Sequence, residues 1–371
     1  MTLPVASGVL EMHPKGFGFL RNPLKHYNPL PGDAFVGQPL IRQFNLAEGV
    51  LLSGPVEPPA RGTTGPRLLN VDSIEGGDPK AYRRNNWDEL TVVDPTRHIK
   101  LETGAEPLTT RVMDLFTPIG FGQRGIIVAP PRTGKTVLLQ HLAAAITTNY
   151  PQAKLMVLLV DERPEEVTEI RRTVKGEVVA STSDKDASSH IRLAELVLER
   201  GRRLAESGRD CVILLDSLTR LARAYNKQNS SGKTMSGGVD SRAMDIPKRL
   251  FGAARAFEEG GTLTIMGTAL IETGSRMDDL IFQEFKGTGN MELILDRKLA
   301  ERRVYPAIDL GASGTRKEER LIPADTLEKV GLLRRSLMQM KGTEAMEGLI
   351  KQMAKTKSNE EFLDMVSKFN K

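Results

Sequence analysis

The stretch GIIVAPPRTGKTVLLQ, residues 125–140, constrains the fold of this chain more than any other part of the sequence. An apolar run leads into a loop ending in Gly134, Lys135 and Thr136, and a helix-forming segment follows. In the phosphate-loop pattern G-x-x-x-x-G-K-[ST], backbone N–H groups and the lysine hold phosphates, and the hydroxyl binds Mg²⁺. The stretch therefore predicts a nucleotide site between a strand and a helix.

This loop departs from the general pattern at its first position. Ala129 stands where the first glycine belongs, and two prolines follow it. The chemistry does not require a glycine there, because backbone N–H groups ahead of a helix still point at an anion. Arg132 adds a second positive charge. The alternative is a chance G-K-T before a helix, but the flanking strand and helix favour the nucleotide site.

Acidic residues end two further apolar runs. LMVLLVDERPEEV contains Asp161 and Glu162, and CVILLDSLTRLARAY contains Asp216. Ligands of open α/β sheets bind at the carboxyl ends of strands. We therefore predict that Asp216 holds Mg²⁺ and that a carboxylate at the other strand end, Asp161 or Glu162, can orient the water that attacks the γ-phosphate. The alternatives are a buried strand that merely ends in Asp, and a surface acid paired with Arg163.

Phosphoryl transfer also needs positive charge at the leaving oxygens, and an arginine from a neighbouring subunit can supply it. GASGTRKEE, residues 311–319, places Arg316 in a Gly/Ser-rich loop. Arg303 is a second candidate, and the residues alone leave both open.

The composition of the chain changes near residue 110. Before it, short apolar runs broken by Gly, Pro and Asn predict a small barrel or sandwich. After it, apolar runs alternate with helix-period segments, which predicts a buried, mostly parallel sheet covered by helices. Two such helices are predicted at 190–208 and 248–260. The predicted division is a β domain at 1–75, a linker at 76–110 and an α/β domain with a helical C-terminus at 111–371.

Bulk properties exclude several classes of protein. A single cysteine, Cys211, excludes a disulfide framework and a zinc ribbon, and the five histidines show no metal-ligand spacing. No apolar run approaches the roughly 20 residues that cross a bilayer, and the N-terminus lacks a secretory signal, so a cytoplasmic location is expected. The net charge of +5 suits a polyanionic partner but equally suits an ordinary solvated surface.

Several long runs together resemble the bacterial transcription termination factor Rho family, over essentially the whole chain from residue 8. They are DERPEEVTEIRRTVKGEVVAST, LLDSLTRLARAYN, FKGTGNMELILDRKLAERRVYPAIDLGASGTRKEE, GFGFLR and APPRTGKT. The family carries alanine at the first position of the phosphate loop, so Ala129 and the prolines are regular for it.

The resemblance implies an α/β RecA-like P-loop ATPase domain preceded by a small all-β OB-fold (cold-shock-like) RNA-binding domain. Subunits of a homohexameric ring would hydrolyse ATP with Mg²⁺ at their interfaces, pull single-stranded RNA through the centre and dislodge RNA polymerase. Glu162 would activate water, Thr136 and Asp216 would serve the metal, and Arg316 would reach the adjacent subunit. The implied ATP contacts are Gly120, Phe121, Gly122, Gln123, Arg124, Gly125, Arg132, Thr133, Gly134, Lys135, Thr136, Val137, Arg163, Arg220 and Tyr305.

Two loops would face the pore of such a ring, one at 231–240 and one at 273–279. In the second loop, arginine replaces the lysine that is more usual in the family, and either cation can neutralise a phosphate. The implied pore contacts are Lys233, Thr234, Met235, Ser236, Gly237, Gly238, Val239, Asp240 and Arg276.

An aromatic pair near the N-terminus predicts a second RNA site. In GFGFLR, Phe17 and Phe19 lie two residues apart and so share one face of a strand. Exposed aromatic rings stack unpaired bases at roughly 1–3 kcal/mol per base. The alternative is that both rings pack inside the barrel. With the residues implied by the resemblance, the predicted contacts are Gly16, Phe17, Gly18, Phe19, Leu20, Arg21, Asp33, Ala34, Phe35, Thr63, Thr64 and Gly65.

The chain departs from the family in the hairpin ARGTTGPRLL. Thr63 and Gly65 stand where many members carry Glu and Tyr, so a preference for C-rich RNA is not expected to carry over. The helical segment that usually precedes the barrel is also missing, so we expect a trimmed or late start. Two alternative functions are a rotary-type ATPase subunit and an RNA-binding regulator that no longer hydrolyses ATP. GFGFLR and the pore loops argue against the first, and the intact catalytic residues against the second.

Overall fold

Alternation of apolar and polar residues in short strands builds a barrel at the N-terminal end of the structure. The structure is a computed structural model that describes residues 3–59, 64–228, 238–240 and 242–369. The barrel elements are β1 (Val5–Met12), β2 (Gly18–Arg21), β3 (Phe35–Val36), α1 (Gln38–Gln43), β4 (Leu51–Glu57), β5 (Arg67–Leu68) and β6 (Ser73–Ile74). Five strands close in the order β1-β2-β3-β5-β4, because β4 pairs again with β1. Leu10, Val36 and Leu52 fill the interior and are fully buried. The predicted small barrel is confirmed.

The rest of the chain forms one large sheet with helices on both faces and a small separate sheet in which residues 98–99 pair with 119–120. Its elements are β7 (Val92–Val93), β8 (His98–Ile99), α2 (Leu108–Phe116), β9 (Ile119–Gly120), β10 (Arg124–Ala129), α3 (Lys135–Asn149), β11 (Lys154–Glu162), α4 (Pro164–Thr173), β12 (Glu177–Thr182), α5 (Ala187–Glu206), β13 (Asp210–Asp216), α6 (Leu218–Gln228), α7 (Asp245–Phe251), β14 (Arg255–Phe257), β15 (Thr262–Leu270), α8 (Arg276–Lys286), β16 (Met291–Ile294), α9 (Arg297–Glu301), β17 (Gly314–Thr315), α10 (Ala324–Met338), α11 (Gly342–Met353) and α12 (Asn359–Phe369).

The central strands of this sheet run parallel in the order β12-β11-β13-β15-β10-β16. Their side chains alternate between two apolar layers. On β10, Ile127 and Ala129 face the layer that contains α2 and α3, whereas Ile126 and Val128 face the layer that contains α5 and α6. Burial on both faces explains why the sequence shows continuous apolar runs here. The predicted α/β fold is confirmed.

One predicted helix is wrong in its second half. The helix expected over 248–260 ends at Phe251, and Arg255–Phe257 is the strand β14. Ala256 pairs with Thr262 on one side and with Val93 on the other, so the segment is held by two strands. Pairing with strands that are distant in the sequence outweighs the local helical period. The other helix, predicted over 190–208, is confirmed as α5.

The barrel docks against helix α5 through polar contacts. Arg200 donates to the carbonyl of Gly49 at 3.1 Å and forms a buried ion pair with Glu75. Arg192 pairs with Glu11 of β1 at 2.8 Å and donates to the carbonyl of Tyr27 at 3.0 Å. Because α5 also packs under β11, β13 and β15, the barrel is tied to the helix that supports the central sheet.

Gly49 is a point of close approach between the barrel and α5, and it gives a stability prediction. Its φ is +89°, and a Cβ on it would lie 2.5 Å from the backbone of Arg200. We expect Gly49→Ala to lower the free energy of unfolding by about 3 kcal/mol or more, through strain and overpacking together. Gly76 is a matched control, because its φ is +83° with no atom within 4 Å of its Cβ position. Gly76→Ala should cost only about 1–2 kcal/mol, and equal losses for both variants in denaturant unfolding would contradict the packing argument.

Candidate functional site

The loop between β10 and α3 has the geometry of an anion cradle. Thr133 is buried and donates its hydroxyl to the carbonyl of Pro130 at 2.7 Å, which closes the turn. Gly134 precedes α3 with a φ of +86°, and a Cβ on it would lie 3.4 Å from the ring of Tyr305. The loop therefore leaves the N-terminus of α3 open, with its unpaired N–H groups and positive dipole end directed at the site. Lys135 and Thr136 are the first two residues of that helix.

Four of the predicted site residues meet at the carboxyl ends of the strands. Lys135 forms an ion pair with Asp216 and lies 3.6 Å from Glu162. Glu162 also pairs with Arg220 of α6 at 2.6 Å. Both carboxylates are only 2% exposed. Buried carboxylates need cationic partners, and here two cations match two carboxylates.

An irregularity at the end of β11 directs Glu162 into this cluster. The pairing of β11 with β12 shifts register between Val160 and Glu162, and Asp161 between them has a φ of +55°. A β-bulge of this kind re-aims the next side chain. As a result Glu162 turns inward, while the side chain of Asp161 stays 40% exposed. Arg220 donates to the carbonyl of Asp161 at 2.6 Å and so clamps the bulge.

The charges of the cluster stabilise one another. Burial by itself would lower the pKa of Arg220, but the carboxylates around it, Glu162 first and then Asp216 and Asp161, together raise that pKa. Glu166, one turn into α4, has its pKa raised by burial and then by the charge of Glu162. Arg163 lies between Glu162 and α4 and donates its backbone N–H to the Glu162 carboxylate at 3.3 Å.

Sequence reasoning missed Thr268, which completes the support of Asp216. Its hydroxyl donates to Oδ1 of Asp216 at 2.7 Å, and the side chain is fully buried. Thr268 sits near the carboxyl end of β15, which lies between β13 and β10 in the sheet. The signal was a threonine near the end of the apolar run TLTIMGTAL, but only the strand order shows that it faces Asp216.

A cavity of about 480 Å³ opens beside the loop. Val137 and Tyr305 line it and are 51% and 44% exposed. This space is lined by an aromatic ring, an aliphatic side chain and a few polar groups. Such a lining suits the planar base of a nucleotide. The lining residues are Glu106, Pro107, Leu108, Thr109, Thr133, Gly134, Val137, Leu138, His141, Leu295, Tyr305, Pro306 and Ala307.

The predicted ATP contacts at residues 120–125 lie far from the phosphate loop of their own subunit. This stretch precedes and begins β10, whereas the phosphate loop follows the other end of the same strand. Six residues of strand span about 17 Å at roughly 3.3 Å each, and none of the stretch lines the cavity. The members Gly120, Phe121, Gly122, Gln123, Arg124 and Gly125 are mostly buried and bond locally, for example Gln123 to Asn290 at 2.7 Å. Ligands bind at carboxyl strand ends, so within one subunit these residues lie away from the site, and their contact with ATP stays a prediction.

Arg316 also lies at the amino end of β10. Its backbone N–H donates to the carbonyl of Asn290 at 2.9 Å, and the side chain of Asn290 accepts from the backbone of Arg124. Within one subunit, Arg316 and Lys135 are therefore separated by the length of β10. Arg303 is different, because it lines a cavity of about 330 Å³ together with Tyr305 and with Arg132 of the phosphate loop in the same subunit.

Three aromatic rings form a cluster on the outer face of the barrel. The ring centroids of Phe17, Phe19 and Phe35 lie 5.3–5.9 Å apart. All three rings are half-buried, and other residues fill the barrel core. The alternative that these rings pack inside the barrel is therefore wrong. We call these three residues the platform.

Two predicted RNA contacts in the barrel need correction, and a third has a different role. Leu20 and Ala34 are 4% and 3% exposed and pack in the barrel core, since strand alternation turns them away from the platform. Arg21 stacks 5.0 Å from the Phe19 ring centroid and is shared between the carboxylates of Glu11 and Asp33. Its charge is already paired, so Arg21 positions the platform.

The hairpin that departs from the family is only partly described. Thr63 lies outside the described residues. Thr64 is exposed, and a Cβ on Gly65 would lie 2.5 Å from the carbonyl oxygen of Asp33. A tyrosine at Gly65 therefore does not fit without a shift of this loop.

The first predicted pore loop is also partly described. Lys233, Thr234, Met235, Ser236 and Gly237 lie outside the described residues. Gly238 is exposed, but Val239 and Asp240 are 1% and 2% exposed, and the backbone of Asp240 donates to Asn226 at 2.7 Å. Both residues are therefore buried within the subunit, Asp240 against α6, and their contact with RNA stays a prediction. Arg276 is exposed at the first residue of α8.

Within the described ranges, no helix has the length and apolar character needed to span a membrane.

Two family models match the chain. The ATP synthase alpha/beta family, nucleotide-binding domain, matches residues 109–315, and the Rho termination factor, RNA-binding domain, matches residues 6–80.

Similar proteins cover nearly the whole chain. Transcription termination factor Rho of Haemophilus influenzae is 52% identical over 97% of this chain and 87% of its own length. The protein of the same name from Bacillus subtilis is 52% identical over 97% of this chain and 84% of its own. Among solved structures, an ATPase from the type III secretion system of pathogenic bacteria shares the fold, with a TM-score of 0.63 and 22% identity over 76% of this chain and 87% of that one. The chain therefore belongs to the transcription termination factor Rho family, and it is an ATP-hydrolysing enzyme that acts with RNA.

Proposed function

We propose that this chain is an ATP-driven RNA translocase that works as a homohexameric ring and ends transcription by dislodging RNA polymerase. The observation that carries the proposal is the division of the catalytic groups within one subunit. Lys135, Glu162, Asp216 and Arg220 gather at the carboxyl end of the sheet, while Arg316 lies at the opposite end of β10. A ring places opposite faces of neighbouring subunits against each other, so that each site is completed across an interface.

Each residue of the cluster has a proposed role in hydrolysis. Lys135 leaves the carboxylates to bind the terminal phosphates as a point charge. Glu162 then holds the attacking water and polarises it, with Arg220 keeping the carboxylate ionised and oriented. The base of ATP stacks on Tyr305, which faces the cavity beside the loop.

The oxygen donors present fit Mg²⁺. Hard cations prefer oxygen ligands, and Mg²⁺ is usually held by one or two protein groups together with substrate phosphates. The hydroxyl of Thr136 and the carboxylate of Asp216 supply these groups, and Thr268 fixes the orientation of Asp216. The metal would neutralise charge on the phosphates when bound.

The platform is the proposed primary contact with unpaired RNA. We expect Phe17→Ala to weaken the binding of single-stranded RNA by about tenfold or more, because one stacked base contributes roughly 1–3 kcal/mol. The measurement is fluorescence anisotropy of a labelled RNA without ATP. Leu24→Ala is the control, since Leu24 is 80% exposed on the same barrel but away from the platform. Unchanged affinity in Phe17→Ala would contradict the assignment.

RNA dependence of hydrolysis tests the function as a whole. ATP hydrolysis is measured without RNA, with poly(C) and with poly(U). We expect strong stimulation by both polymers, and a ratio near one because Thr63 and Gly65 replace the Glu and Tyr found in many relatives. A rate of ATP hydrolysis that does not change when RNA is added would instead favour a rotary-type ATPase subunit. We further propose that the protein is cytoplasmic, where transcribing polymerase is found. We also propose that the chain divides into a β domain at 1–75, a linker at 76–110 and an ATPase domain at 111–371.

A further inference from the structure

A fourth ring extends the platform. His13 stacks on Phe17 with 4.4 Å between the ring centroids and 7° between the planes. Phe17 in turn contacts Phe35 and Phe19, so the four rings are continuous. His13 is exposed. The imidazole of His13 therefore covers one face of the Phe17 ring. The opposite face of the imidazole is exposed to solvent.

The backbone holds His13 in this position. The N–H of His13 donates to the carbonyl of Phe17 at 2.7 Å, and the N–H of Gly16 donates to the carbonyl of His13 at 2.8 Å. These two bonds close the turn between β1 and β2. The stack is thus set by the hairpin itself, and no rearrangement is needed for a base to meet the ring.

A second contact determines which nitrogen of the ring carries the proton. The backbone N–H of Lys15 donates to Nδ1 of His13 at 3.2 Å. A backbone N–H can only donate, so Nδ1 is the acceptor and the proton of the neutral ring is on Nε2. Across the part of the chain that the structure describes, no residue accepts a hydrogen bond from Nε2. The ring therefore offers a flat face and a free donor at the same place.

We propose that His13 binds RNA directly, stacking an unpaired base on its outer face and donating Nε2–H to an acceptor oxygen of that nucleotide. The inference rests on the proposed function, because it places RNA at the platform. Stacking accepts every base, and the acceptor oxygen is a base carbonyl or a phosphate. We therefore expect this site to bind single-stranded RNA with little sequence specificity.

Binding of a labelled oligouridine of about six nucleotides to the full chain tests the proposal. We expect His13→Ala to weaken binding about tenfold, and His13→Leu to do the same because it keeps volume but not the aromatic face. His13→Phe keeps the face and loses the donor, so its affinity should fall about threefold. If the threefold loss disappears with oligoadenosine, the acceptor is the base carbonyl. If it persists, the acceptor is the backbone.

The controls separate this inference from the proposed function. Wild-type affinity in His13→Ala, with weakened binding in Phe17→Ala, overturns the role of His13 alone. Wild-type affinity in both variants overturns the platform as the RNA site. Leu24→Ala should bind RNA with wild-type affinity in every arm of the experiment.

Crosslinking gives a direct readout that a merely structural role would not produce. RNA carrying 5-iodouridine is irradiated on the protein, which is then digested with trypsin. Cleavage after Lys15 separates His13, the only aromatic side chain in residues 1–15, from Phe17 and Phe19 in residues 16–21. We expect crosslinked RNA on the first peptide. RNA found only on the second peptide overturns the proposal.

Discussion

Arg316→Ala lowers RNA-stimulated ATP hydrolysis by about 10³-fold or more while leaving nucleotide binding nearly unchanged. An arginine supplied from a neighbouring subunit stabilises charge that develops only in the transition state, and its removal typically costs this much. Arg316 lies a full strand away from Lys135 within one subunit, so we expect its effect to be exerted in the next subunit. The measurement is steady-state hydrolysis with saturating RNA, paired with titration of a fluorescent ATP analogue.

Mixed rings test whether the arginine acts across the interface. Arg316→Ala and Lys135→Ala subunits are each inactive alone, but mixing them at equal ratio restores about one complete interface in four, if sites are shared. Recovery of hydrolysis supports the divided site. If hydrolysis does not recover although mixed rings are shown to form, the divided site is contradicted and Arg303 becomes the favoured arginine.

Lys317→Ala is the matched control for Arg316→Ala. Lys317 pairs at the surface with Asp94 at 2.9 Å, and the loss of such a pair has little effect.

Glu162→Gln is expected to lower the turnover number by about 10²–10⁴-fold. The amide keeps the shape of the carboxylate but cannot take the proton of water. Nucleotide affinity should change by only a few-fold, since the proposed phosphate contacts are Lys135 and the N-terminus of α3. The readouts are single-turnover hydrolysis and nucleotide titration, together with the thermal midpoint, because Arg220 loses a buried partner at 2.6 Å.

The neighbouring residue supplies the control for this variant. Asp161→Asn removes an equal charge one position earlier, but the side chain is 40% exposed and lies outside the cluster. We expect its hydrolysis to stay within about threefold of wild type, since an exposed charge contributes little to a buried site. Equal losses in the two variants would mean that general charge near the loop, and not the carboxylate of Glu162, supports the reaction.

The local patterns predicted the parts of the site that are built within a few residues. APPRTGKT predicted the loop because the turn, the helix N-terminus and the lysine are consecutive in the chain. GFGFLR predicted two neighbouring rings because alternate residues of a strand share a face. Continuous apolar runs predicted a sheet covered on both faces. The strand ends at Glu162 and Asp216 predicted where acids would gather, although not the bulge that turns Glu162 inward.

Only the tertiary structure decided which distant segments meet. It placed residues 120–125 at the end of β10 away from the phosphate loop, and Arg316 with them. It buried Val239 and Asp240, brought Thr268 to Asp216, and stacked His13 on Phe17. The physical reason is that periodicity and turn chemistry act over a few residues. Strand order, the face a side chain takes and the end of the sheet it reaches depend on pairing between segments tens to hundreds of residues apart.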